Sequence, residues 1–99
     1  MISYLFEYKV KPGMLDQGKQ LVVDFIDRIQ NEEGILLYSP FLYKEGGGKF
    51  IHVITFENEA AKNRYFDAEY TKTFIEEITK ISINETKFTE VEYIKEDGD

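Results

Sequence analysis

The chain has 99 residues and a formal net charge of −7, and it contains no cysteine. That length fits one domain with a single core, and the missing cysteines exclude disulfides, thiolate metal sites and thiol nucleophiles, which is compatible with a reducing cytoplasm. The negative balance repels polyanions and gives a well-solvated surface.

Residues 2–10 alternate. Ile2, Tyr4, Phe6, Tyr8 and Val10 share one face, with Ser3, Glu7 and Lys9 opposite, so a strand is expected. The start, MISYLFEYKV, lacks a basic segment ahead of its apolar residues and a small-residue cleavage site, so it reads as part of the mature fold and not as a signal. Lys11-Pro12-Gly13 ends the strand. From Met14 the spacing changes to three and four: Met14, Gly18, Leu21, Val22, Phe25, Ile26 and Ile29 line one stripe. An amphipathic helix to about Glu32 follows, with Gly34 as its stop.

The segment Ile35–Tyr43, ILLYSPFLY, is apolar on both sides, with Ile35, Leu37, Phe41 and Tyr43 on one face and Leu36, Tyr38 and Leu42 on the other. It reads as a second strand, extending to about Lys44. Pro40 within it marks an edge strand or a bulge, because proline cannot donate to a ladder. Glu45-Gly46-Gly47-Gly48 is a hairpin loop. A phosphate-loop reading of those glycines fails, since a strand and not a helix follows and Phe50 stands where serine or threonine is needed. The third strand runs over Lys49–Glu57, with Phe50, His52, Ile54 and Phe56 alternating with Ile51, Val53 and Thr55.

Asn58 is suited to cap a helix through Ala60, Ala61, Tyr65 and Ala68, which bends or restarts near Glu69 and continues as Tyr70, Phe74, Ile78 and Ile81. Residues 86–95 are expected to form a fourth strand, and residues 96–99 an acidic, frayed tail outside the 1–95 domain. The acidic pairs Glu32-Glu33 and Glu76-Glu77 diverge on their helices and read as solvated faces, not metal ligands. No apolar run approaches the ~18 residues of a membrane span.

The order is thus β-α-β-β-α-β, an α+β, ferredoxin-like arrangement with an antiparallel sheet and both helices on one face. The other face would hold Leu5, Leu36 or its neighbours, Ile51, Val53, Val91 and Tyr93. An apolar face of that size is expected to be covered by a second copy packing sheet to sheet. An RNA-recognition module shares the element order. Its third-strand signature of glycine and paired aromatics is missing from KFIHVITF, and the acidic charge opposes it, so nucleic acid is not expected as a partner.

Three stretches, VKPG (10–13), EEGILLY (32–38) and FIHVITFENEAAKNRYFDAEYTKTF (50–74), resemble the antibiotic biosynthesis monooxygenase-like family of the dimeric α+β barrel superfamily. The resemblance covers nearly the whole chain and rests on the order and spacing of these parts. It implies a homodimer joined through the sheet face, and a pocket between sheet and helices for a small apolar or aromatic ligand. Relatives include oxygenases that use no cofactor, haem-degrading enzymes, isomerases of small signalling compounds and proteins without an assigned activity. Two helix positions that often carry histidine in the family hold Tyr65 and Tyr70, and the aromatic that ends strand three is Phe56. Phe6 stands near the asparagine position of the haem-degrading branch, and no helix histidine is present, so haem degradation is not expected.

His52, the only histidine, is the candidate base for a phenolic proton, and Tyr70 is a second catalytic candidate. Tyr4, Phe6, Phe56 and Tyr65 are the expected pocket residues. No metal or cofactor is expected. The function implied is a cofactor-independent monooxygenase or isomerase acting on a small aromatic or quinone-like compound. The alternative is a barrel protein of the same fold that binds such a compound without turning it over.

Overall fold

A computed structural model describes residues 1–94; the expected tail at 96–99 lies outside the described residues. Among the described residues the chain forms β1 (Ile2–Lys9), α1 (Leu15–Ile29), β2 (Ile35–Leu42), β3 (Lys49–Phe56), α2 (Glu59–Asp67), α3 (Glu69–Ile81) and β4 (Lys87–Val91). The strands make one sheet in the order β2-β3-β1-β4, with every neighbouring pair antiparallel. This is the expected ferredoxin-like arrangement, with the second crossover helix split in two at Ala68.

The alternation in β1 and β3 sets the core. Phe6 and Tyr8 from β1, and Phe50, His52, Ile54 and Phe56 from β3, turn to the helix side and are buried. The helices meet them with residues at spacings of three and four: Gly18, Val22, Phe25 and Ile29 of α1, and Thr71, Phe74, Ile78 and Ile81 of α3. Asn58 caps α2, its side chain accepting from the Ala61 amide at 2.9 Å. Ala68 takes an extended backbone, ending α2 and starting α3.

Two boundaries and one strand register differ from the sequence reading. Helix α1 stops at Ile29, before Gly34. Gly34 has another task. It has φ +86°, its carbonyl accepts from the Glu57 amide, and a Cβ there would lie 2.5 Å from the Ala61 Cβ. It is where the chain squeezes past α2 to enter β2. In β2 the register slips between Ile35 and Leu37, so Ile35 pairs with Phe56 and packs on the core while Leu37 pairs with Thr55 on the open face. The extra residue, Leu36, is 55% exposed. Pro40 is on the sheet's edge strand, where a missing donor is tolerated. Strand β4 ends at Val91, paired with Ser3, because β1 begins at Ile2 and offers no longer ladder. Tyr93, expected on the sheet face, is exposed beyond the strand.

The sheet face away from the helices carries Leu5, Leu37, Phe41, Ile51, Val53 and Val91. Leu37 and Phe41 are 46% and 56% exposed. No segment of the described residues crosses that face.

Candidate functional site

His52 sits in the middle of β3 with no solvent exposure. Its Nε2 lies 2.8 Å from the Tyr8 hydroxyl and its Nδ1 2.7 Å from the Tyr38 hydroxyl. The strand register brings the three together. Phe6 and Pro40 stand directly opposite His52 on the two neighbouring strands, and Tyr8 and Tyr38 are each two residues along, on the same face. Burial lowers the His52 pKa to about 3, so the ring is neutral near pH 7. A neutral imidazole has one N–H and one acceptor nitrogen. One tyrosine therefore donates to His52 and the other accepts, and the accepting tyrosine keeps its own O–H free. Burial raises the phenols of Tyr8, Tyr38 and Tyr65, which stay protonated.

Phe6, Phe56 and Tyr65 share this core with His52. Tyr65 is 1% exposed; its hydroxyl lies near that of Tyr38, but among the described residues neither it nor Thr71 Oγ1 has a partner within hydrogen-bond distance. The other two tyrosine hydroxyls go elsewhere. Tyr4 packs its ring edgewise on Phe56, Phe66 and Phe88 and donates to Glu90 at the surface. Tyr70 donates to the Glu32 carboxylate in a short hydrogen bond, and burial together with this bond raises its pKa to about 12. Glu32, expected from the sequence on a solvated face, thus has a specific partner. Glu76 and Glu77 face solvent, both near Lys80. Among the described residues no three His, Cys, Asp or Glu side chains gather closely enough to hold a metal ion.

A groove of about 490 Å³ opens between α1 and α3. Leu21, Phe25, Tyr70 and Phe74 make its apolar part, and Asp24, Arg28, Glu69 and Glu77 its charged rim. Phe25 and Phe74 are stacked at 4.1 Å between ring centroids. The groove is within the size range of small-molecule sites. Of the expected site residues, Tyr70 lines it directly, while His52 lies 6.1 Å below Phe74, centroid to centroid. Tyr8, Tyr38, Phe25 and Glu32 were missed as site residues. For Tyr8 and Tyr38 the signal was available only after pairing the strands around His52.

Comparison with known proteins adds three findings. A family model described as antibiotic biosynthesis monooxygenase matches residues 1–77. No curated protein matches the sequence. Solved structures share the fold: a crystal structure of an antibiotic biosynthesis monooxygenase is 16% identical with TM-score 0.87, covering 96% of this chain and 100% of that one. A conserved protein from Methanosarcina mazei is 17% identical with TM-score 0.84, covering 91% of this chain and 89% of that one. A Mycobacterium tuberculosis protein is 11% identical with TM-score 0.86, covering 98% of each chain. At these identities the structural likeness speaks for the fold alone.

Proposed function

This chain belongs to the antibiotic biosynthesis monooxygenase family, and from that premise we propose that it takes a small aromatic or quinol-like compound into the α1–α3 groove and oxygenates it without a bound metal or flavin. The observation that carries this reading is the groove itself, an apolar slot floored by stacked aromatic rings and rimmed by charge. In such a reaction the compound is its own reductant. The ring C–H being oxidised and the phenol O–H give up one hydrogen each, the ring carbon gains one oxygen atom of O₂ as a carbonyl, and the second oxygen atom leaves as water with those two hydrogens.

Tyr70 is the hydroxyl that meets a substrate phenol in the groove. With a pKa of about 12 it does not ionise near pH 7. It instead passes a proton on, accepting from the substrate as it donates to Glu32. His52 serves differently. Its low basicity and its two tyrosine partners make it a poor proton acceptor, and it holds the buried polar cluster beneath the aromatic floor in one arrangement. That same low basicity favours a second reading, in which the protein binds an aromatic compound without turning it over.

A second copy packing on the open sheet face, over Leu5, Phe41, Ile51 and Val53, completes the proposed assembly. The test of activity is oxygen uptake with a panel of hydroxylated naphthacenes and quinols, for the wild type and Tyr70→Phe. Uptake that slows in the variant supports the oxygenase. Thermal stabilisation by these compounds with no uptake from any of them supports the binding protein.

A further inference from the structure

Two stacked rings, Phe25 and Phe74, separate the α1–α3 groove from the buried tyrosine–histidine chain, and Phe25 is the one beside its tyrosines. Phe25 lines the groove and is only 3% exposed. Its ring stacks on Phe74 with an interplanar angle of 5°, and it stands 6.1 Å from Tyr70, both groove residues. It is also 5.9 Å from the Tyr38 ring and 6.1 Å from the Tyr65 ring, neither of which lines the groove. The Tyr65 hydroxyl, buried next to this ring, has the Tyr38 hydroxyl as a polar neighbour, but among the described residues its own O–H has no acceptor within hydrogen-bond distance. Native proteins rarely leave a buried hydroxyl in that condition, because its desolvation is uncompensated.

We propose that Phe25 is the gate of the groove: when its ring turns aside, a flat aromatic ligand takes its place on Phe74 and presents a carbonyl or hydroxyl oxygen to the Tyr65 hydroxyl. The inference rests on the reading that the groove takes an aromatic compound, and it names which feature of that compound is recognised. A ligand ring in place of the Phe25 ring keeps the stacking on Phe74, which selects planar aromatic compounds over aliphatic ones. Tyr65 stays protonated in its buried site, so it recognises the ligand as a donor. Phe25 thus sets how deep a ligand enters, and Tyr65 sets which ligands gain by entering.

The test measures dissociation constants of two matched probes, 1,4-naphthoquinone and naphthalene, for the wild type, Phe25→Leu and Tyr65→Phe. Tyr65→Phe keeps the buried ring and removes only the hydroxyl beside Tyr38, and its thermal midpoint is checked beside the wild type. It is expected to weaken naphthoquinone about fivefold and to leave naphthalene unchanged. Phe25→Leu, with a smaller side chain to displace, is expected to tighten both probes while keeping their ratio. A probe ratio unchanged by Tyr65→Phe, or weaker binding of both probes to Phe25→Leu, overturns the gate while leaving the groove as the binding site. A wild type that binds neither probe overturns the aromatic-ligand reading, and the gate falls with it.

Discussion

The Tyr8 hydroxyl and the His52 Nε2 are 2.8 Å apart in the core, in a contact that holds a β1 side chain to a β3 side chain on the covered face of the sheet. With Tyr38 on the other ring nitrogen, His52 is the centre of a three-strand polar cluster inside an apolar layer. Such a cluster is stabilising only while every member is paired.

Tyr8→Phe should therefore cost about 1–3 kcal/mol of stability, because it leaves one His52 nitrogen buried and unpaired. Tyr65→Phe removes a hydroxyl that, among the described residues, has no partner within hydrogen-bond distance, and it should cost less than Tyr8→Phe. Urea denaturation of the two variants beside the wild type checks both. Equal losses would mean that the Tyr8–His52 contact contributes nothing specific to stability.

The pH dependence follows from the same histidine. In the folded chain its pKa is about 3, against 6.5 for an unperturbed imidazole. The unfolded chain takes the proton first, so this contribution is complete above about pH 6.5 and is lost as pH falls towards 3. By pH 5 the loss should reach about 2 kcal/mol, before most carboxylates titrate. Urea midpoints at pH 7.5 and pH 5 should show it for the wild type, and a smaller change for His52→Gln.

Gly34 and Gly13 both have φ +86°, but only Gly34 faces an obstacle. Gly13→Ala, in open space, should cost about 1–2 kcal/mol for the left-handed backbone alone. Gly34→Ala adds a clash with Ala61 and should cost clearly more. Thermal midpoints of the two variants check the order.

Light scattering on a sizing column should give the mass of two chains across a range of concentrations. Val53→Glu, placing a charge in the middle of the open face, should give one chain with unchanged helical circular dichroism. A wild type that elutes as a folded single chain would leave the apolar face to a different partner.

The parts legible in the sequence are those fixed by local periodicity. Phe6 and Tyr8, or Val22, Phe25 and Ile29, announce their elements because period two and period 3.6 look different over a few residues. Asn58 is legible as a cap because its role is local. The slip at Leu36 is not, since an extra residue in an all-apolar run leaves no mark in hydrophobicity. Tyr8 and Tyr38 become partners of His52 only through the register of three strands, and Glu32 meets Tyr70 across 38 positions of chain. The groove depends on how α1 settles against α3 over the stacked Phe25 and Phe74, and no spacing within either helix encodes that.

The most direct test of the groove as the ligand site is an amide-resolved NMR titration of the wild type with 1,4-naphthoquinone. Shifts clustered in residues 21–28 of α1 and 69–77 of α3 are the predicted result. Shifts confined to the open sheet face, or none at saturating probe, would contradict the account.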